Sequence, residues 1–141
     1  DEKKKEEGEE EEKKPNEMTW AERQQQRDED GMPGPMMRAS VDVTHPMTAG
    51  VREWVGVLKR NRSPLPVKED GYVVARFEED PYVGGVISEE NREKFAGTPF
   101  VTHHSMGRGT VICFSDDITI RGFMHAPMRL LMNAIIYGPN M

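Results

Sequence analysis

The stretch that decides the fold runs from Gly107 to Pro139, GRGTVICFSDDITIRGFMHAPMRLLMNAIIYGP. Residues 110–114 form a short apolar run between turn-forming residues, which is typical of a strand buried on both faces in a parallel sheet. Pro127 suits the first turn of a helix, Gly138 suits the C′ position, and Pro139 prevents the helix from continuing. A buried strand followed by such a helix predicts the closing βα unit of a layered α/β domain.

The predicted helix carries one apolar stripe. Its members recur at i, i+3, i+4, i+7 and i+8, which places them on a single face. They are Met128, Leu131, Met132, Ile135 and Ile136. We therefore expect this face to pack against the sheet.

Upstream of this stretch, strands outnumber helices. Alternation or β-rich composition predicts strands over 36–43, 54–58, 72–77, 83–87 and 100–103. The only other helix in the compact region is predicted over 88–95, with Ser88 as its cap. Two helices are too few to cover both faces of a doubly wound sheet, which needs helices on each side. Either the chain holds the C-terminal part of a larger α/β domain, or the fold is α+β with one covered face.

The acidity of the chain is concentrated at its N-terminal end. The formal charge is −6, and residues 1–30 hold 13 acidic and 7 basic side chains, whereas residues 31–141 are balanced. The charge-dense run 1–14 has no apolar face and is expected to be disordered. A short helix is predicted within 16–27, capped by Asn16 or by Thr19, which has Glu22 three residues later, and Trp20 could dock on the domain. We divide the chain into a charged linker, 1–30, and a compact region, 31–141.

Composition excludes several classes of function. No basic stripe favours nucleic acid as a partner, and no apolar run is long enough for a membrane span. One cysteine cannot form an internal disulfide, so the redox compartment stays open. The chain starts with Asp1 and shows no signal peptide, so we expect it to be a segment of a longer polypeptide.

Three segments together resemble a known family. Residues 32–50 are similar to a strand that runs into D-x-T-H-P-L-x-x-G, residues 107–117 resemble a G-K-G-R-V-I-x-F-x-D strand, and residues 121–135 resemble an F-R-G-F-W…R-L-L-x-N-A-I ending. This combination resembles the C-terminal glutamine-amidotransferase-like domain of bacterial secreted zinc carboxypeptidases of the carboxypeptidase A type. Thr110 and Met124 depart from the pattern, which often has Arg and Trp there.

The resemblance implies a flavodoxin-like, class I amidotransferase-like α/β domain of which this chain is the C-terminal half. It also implies an upstream peptidase domain as partner, with zinc bound there by a His-x-x-Glu…His set, and a secreted or periplasmic location. No His-x-x-Glu surrounds any of the four histidines here, so we expect no cofactor in this chain. The implied role is a non-catalytic accessory domain of a metallopeptidase that releases C-terminal residues. Packing against the peptidase domain or assembly of a homo-oligomer would serve that role.

A few side chains could carry chemistry, although we assign none of them as catalytic. The weak candidates for metal ligands are His45, His103, His104, Asp116 and Asp117. His103 and His104 are adjacent on a predicted strand and should point to opposite faces. We expect His45 to order its turn. We also expect Asp116 and Asp117 to end their strand and pair with Arg121 or Arg129.

Two other functions remain open at this point. A hydrolase of amidotransferase type could use His45, His103 or Asp116 with a nucleophile that lies upstream. Cys113 does not suit that role, because it stands inside a strand between Ile112 and Phe114 and is expected to be a small buried hydrophobe. The remaining possibility is a free-standing binding module, which would require residues 31–141 to fold alone.

Overall fold

The computed structural model describes Lys14 and residues 16–141, so the disorder predicted for residues 1–14 lies outside the described residues except at Lys14. The described chain is an α/β structure with a curled five-stranded antiparallel sheet and three α-helices. In chain order the elements are α1 (Trp20–Gly31), β1 (Met36–Val41), β2 (Trp54–Leu58), β3 (Tyr72–Gly84), α2 (Glu89–Phe95), β4 (Pro99–Met106), β5 (Gly109–Phe114) and α3 (His125–Tyr137).

The sheet has the strand order β2-β1-β3-β4-β5, and every neighbouring pair is antiparallel. The parallel, doubly buried strand predicted for residues 110–114 is therefore wrong, because β5 pairs with β4 at an edge of the sheet and is only half-buried. A tight turn at Gly107, with φ of +61°, joins the two strands and makes an antiparallel pair the only local solution. The apolar run predicted a strand but could not predict the direction of its neighbour.

The strand predicted over 72–77 is the first part of a longer strand, β3, which ends at Gly84. The separate strand predicted over 83–87 is wrong, because only its first two residues lie in β3 and 85–87 form a loop. Asp80-Pro81 does not interrupt β3. The pairing of β3 with β1 instead changes register between Met36 and Ala39. Such irregularities let a strand bend, as a curled sheet requires.

The short helices begin where their caps predict. The capping box of α1 is complete, since the Thr19 hydroxyl accepts from the Glu22 N–H at 3.3 Å and the Glu22 carboxylate accepts from the Thr19 N–H at 2.7 Å. The Ser88 hydroxyl accepts from the Asn91 N–H and starts α2. Trp20, however, is 77% exposed, so its predicted docking is wrong.

A single apolar core fills the inside of the curl. Three aromatic rings lie at its centre, with Phe77 5.6 Å from Phe100 and 6.2 Å from Phe95, measured between ring centroids. Met47 and Leu130, which come from the turn after β1 and from α3, are fully buried in the same cluster. Each such side chain contributes roughly 1.5–3 kcal/mol by leaving water.

The helix α3 presents a different face from the one its sequence predicts. Leu130 and Asn133 are buried, whereas Met132, Ile135 and Ile136 are 52%, 63% and 56% exposed. The reason is a polar anchor, because the Asn133 side-chain amide donates to the Met47 carbonyl at 2.7 Å and to the Ala49 carbonyl at 2.9 Å. These bonds fix the rotation of the helix. The predicted end of α3 also differs, since Gly138 keeps a right-handed conformation and begins a further 3-10 turn.

A buried ion pair connects the two edges of the sheet. Lys59 follows β2 and Asp116 follows β5, and the Lys59 Nζ lies 3.0 Å from the Asp116 carboxylate. The same carboxylate oxygen accepts from the N–H groups of Arg60 and Asn61 at 2.7 Å and 2.8 Å. The ammonium also donates to the carbonyls of Asn61 and Ser115, and it lies 4.7 Å from the ring centroid of Phe95.

Burial sets the electrostatic balance of this pair. The Lys59 side chain is fully buried, and burial lowers its pKa although the bond and charge of Asp116 act to raise it. The ammonium thus loses more from leaving water than Asp116 returns. Removing the carboxylate alone would leave this cost without compensation.

We expect Asp116→Asn to lower the free energy of unfolding by about 3 kcal/mol, because it strands a buried ammonium while keeping an oxygen for the two N–H groups. Urea denaturation at pH 7 measures this. Adding Lys59→Met to that variant should recover part of the loss, since no buried charge remains. The matched control is Arg92→Met, which breaks the exposed Arg92–Asp80 pair at 2.8 Å and should change stability little. Equal effects of Asp116→Asn and Arg92→Met would contradict the assigned role of the buried pair.

Candidate functional site

An open groove of about 460 Å³ lies where β3 and β4 meet the turn that follows β1. Asp42, Thr44, His45 and Pro46 form one wall from the turn, and Tyr72, His103 and Ser105 form another from the strands. Asn140 and Met141 complete the lining. The lining therefore brings a carboxylate, hydroxyl groups, two imidazoles and a phenol to one groove.

Local hydrogen bonds shape the turn. The Asp42 carboxylate accepts from the N–H and hydroxyl of Thr44 at 2.9 Å and 2.6 Å, and these bonds lower its pKa. His45 then caps the short 3-10 helix Pro46–Thr48, as its Nδ1 accepts from the Met47 N–H at 3.2 Å. The prediction that His45 orders its turn is confirmed.

The turn places His45 against a histidine of the sheet. The His45 Nε2 lies 3.1 Å from the His103 Nδ1, with the two rings edge to face. Tyr72, the register partner of His103 on β3, stacks on the His103 ring with 5.7 Å between centroids. Burial lowers the pKa of both histidines; the charge of His103 lowers that of His45 further, and His104 does the same for His103.

The hydrogen bonds assign the tautomers of this pair. Because the Met47 N–H uses the lone pair of the His45 Nδ1, neutral His45 carries its proton on Nε2 and donates to the His103 Nδ1. Neutral His103 then carries its proton on Nε2. That nitrogen is buried and has no hydrogen-bond partner within residues 16–141.

The five weak metal candidates do not converge on one site, although His45 and His103 are in contact. His104 hydrogen-bonds Thr102 at 3.1 Å, and Asp117 accepts from the N–H and hydroxyl of Thr119, which lowers its pKa. Asp116 is held by Lys59, and both ring nitrogens of His45 are occupied. No three His, Cys, Asp or Glu side chains of the described part of the chain converge as metal ligands do.

The expected partners of the aspartates are wrong. Asp116 pairs with Lys59 rather than with Arg121 or Arg129, because the curl of the sheet brings the end of β2 to the end of β5. The Arg129 guanidinium instead lies over Gly50, where a side-chain carbon would meet its Nη2 at 3.3 Å. Cys113 is half-buried in the edge strand rather than enclosed in the core.

Sequence reasoning found His45 and His103 but missed Tyr72 and the contact between the histidines. The two are 58 positions apart, and only the β3–β4 register and the path of the turn bring them together. The Thr-His-Pro turn was the one local signal for this site.

Comparisons with protein-family models, with curated proteins and with solved structures found no match to this chain. Among the described residues, no helix has the length and apolar character needed to cross a bilayer.

The packing of His104 against the start of β3 depends on a glycine, Gly71, which precedes Tyr72. A side-chain carbon at Gly71 would overlap the His104 ring and would lie 3.2 Å from the Lys68 carbonyl. We expect Gly71→Ala to displace His104 from Thr102 and to destabilise the fold by about 1–3 kcal/mol, as overpacking does. Gly84→Ala is the control, since a carbon added there meets nothing within 4 Å. Thermal denaturation of both variants measures the difference, and equal melting temperatures would contradict the close contact.

Proposed function

We propose that this chain is a non-catalytic accessory segment of a zinc carboxypeptidase-type polypeptide, and that it acts by packing against the polypeptide upstream of it. The observation that carries the proposal is the outward apolar side of α3. We name this surface the α3 face; it consists of Met132, Ile135, Ile136 and Tyr137, which are 41–63% exposed.

The α3 face continues onto the edge of the sheet. An open apolar groove runs between α3 and β5, lined by residues that include Ile112, Phe114, Leu131 and Ile135. Among the described strands β5 pairs only with β4, so its other edge offers free backbone N–H and C=O groups. A contiguous apolar surface beside an unpaired strand is a common mark of a protein contact.

We assign the upstream part of the same polypeptide as the occupant of this surface. The resemblance of residues 32–50, 107–117 and 121–135 to accessory domains of zinc carboxypeptidases supports this choice. In this proposal the antiparallel sheet is the C-terminal part of a flavodoxin-like, amidotransferase-like domain whose parallel strands belong to the upstream polypeptide. Zinc, proteolysis, release of C-terminal residues and export from the cytoplasm are proposed for the parent protein alone.

The α3 face can be tested with single charges. We expect Ile135→Asp and Ile136→Asp to fold with unchanged stability, because both side chains are exposed, and to weaken binding to the separately expressed upstream domain at least roughly tenfold. The control is Val86→Asp, an equally apolar exposed position in the loop after β3, which should bind as the unmodified chain does. Calorimetric titration gives the dissociation constants. Equal binding by all three variants would rule out the α3 face, and sedimentation would show whether a second copy of the chain occupies it instead.

Zinc content separates the accessory role from a catalytic one. We expect the purified chain to retain far less than one zinc per molecule after dialysis, because the Met47 N–H occupies the lone pair that His45 would need to keep free. Elemental analysis measures this. Stoichiometric zinc would contradict the non-catalytic proposal and make the groove histidines ligand candidates.

A second function is favoured by one observation. The His45–His103 pair lies beside an open groove, and if the Met47 N–H released the His45 Nδ1, that nitrogen could act as the base of a hydrolase of amidotransferase type. This alternative requires an upstream nucleophile. A Gly-x-Cys-x-Gly motif in the upstream sequence would support it, whereas a His-x-x-Glu…His set would support the peptidase parent.

A further inference from the structure

The His45–His103 pair has no free place for an additional proton. The lone pair of the His45 Nδ1 accepts from Met47, and the lone pair of the His103 Nδ1 accepts from His45. A proton added to His103 sets two N–H groups against each other at 3.1 Å. If His45 then moved its own proton to Nδ1, that proton would oppose the Met47 N–H. Whichever tautomer forms, one of the two hydrogen bonds is lost.

Losing the bond from the Met47 N–H to His45 destabilises the turn. Met47 is fully buried, and its N–H has His45 as its acceptor. A buried N–H without a partner is costly, so the turn must open for water to reach it. Thr48 is involved as well, since its hydroxyl donates to the carbonyls of Asp42 and His45 across the same turn.

The charged groups around the pair do not remove this conflict. Asp42 on the turn favours protonation of His45, and its own low pKa keeps it ionised through the mildly acidic range. His104 on β4 opposes protonation of His103, and Tyr72 on β3 covers that ring without a charge. Arg129 of α3 lies beside Gly50 at the far end of the turn.

The turn also holds α3. The buried Asn133 amide reaches the carbonyls of Met47 and Ala49, one on each side of Thr48. These two bonds set the rotation of the helix and therefore the direction of the α3 face. Opening the turn removes their acceptors.

We propose that the turn Asp42–Gly50 is an acid-sensitive latch, in which protonation of the His45–His103 pair opens the turn and releases α3 from its fixed orientation. This device does not depend on the identity of the partner that covers the α3 face. It makes that face a surface whose presentation changes with pH.

The pH window follows from the histidines. In an open or unfolded turn their pKa is about 6.5, and in the closed turn it is lower, so the open state binds protons first. The latch is therefore fully closed above about pH 6.5. It loses stability as the pH falls from there toward the lower pKa of the closed state.

Amide hydrogen exchange on the full chain between pH 7.5 and 5 tests the latch, with protection factors calculated against the intrinsic rate at each pH. Protection of Met47 and Thr48 should fall by up to about tenfold for each pH unit below 6.5, together with that of α3 around Asn133. In parallel, the ring resonances of His45 and His103 should titrate below the ordinary histidine value of about 6.5.

Two variants separate the latch from general acid destabilisation. His45→Asn keeps an oxygen that accepts from the Met47 N–H but cannot be protonated, so protection of Met47 should become independent of pH. His125→Gln removes an exposed histidine at the start of α3 and should leave the pH dependence unchanged. Constant protection of Met47 down to pH 5 in the unmodified chain would overturn the proposal. The same loss of protection in His45→Asn would also overturn it. If that variant does not fold, titration of the His45 and His103 rings at or above about pH 6.5 would overturn the proposal instead.

Discussion

The fold depends on the contact between Lys59 and Asp116, because it joins the ends of the two edge strands of a sheet that would otherwise lie open. One carboxylate oxygen receives the ammonium and the N–H groups of Arg60 and Asn61 at 2.7–3.0 Å. The pair is buried above Phe95, so the charge is costly and the geometry must be well satisfied. Any arrangement of the strands that separated the two groups would leave the ammonium in the core without its carboxylate. The curled sheet encloses the apolar core on its inner face. It also places the turn that follows β1 in contact with α3 and β4.

The sequence predicted the elements better than it predicted their relations. Ends of helices are chemical and local, so Thr19 and Ser88 could be recognised as caps from a few neighbouring residues. The strand β2 was predicted at its observed bounds, because the β-rich composition of residues 54–58 is also a local signal. The partner of Asp116 lies 57 positions away, and no local pattern carries that information. The direction of β5 is set locally by the turn at Gly107, but the apolar run of β5 did not show it. The groove was predicted in part. The Thr-His-Pro sequence indicated His45, whereas its contact with His103 could be known only from the register of β3 and β4.

The helix α3 shows why an apolar stripe alone does not predict which side of a helix is buried. The stripe from Met128 to Ile136 offers more apolar area than the buried side, yet Asn133 lies inward because its amide has two backbone carbonyls to satisfy. Turning the helix to bury Ile135 would expose Leu130 and leave the carbonyls of the turn without their donor. A polar anchor therefore decides the rotation, and the apolar residues that remain outside become a surface that needs cover. The same residues that misled the fold prediction carry the functional proposal.

The anchor and the histidine pair act on one short turn, and this joins two parts of the molecule that differ in chemistry. Met47 contributes its N–H to His45 and its carbonyl to Asn133, so a single residue belongs to both networks. Any partner that holds α3 in its observed orientation must stabilise the closed turn, and by linkage it must lower the pKa of the histidines further. Acid must then weaken the binding of that partner by the same free energy. The coupling requires only that the α3 face and the histidine pair favour the same closed turn, and the bonds to Met47 provide that condition.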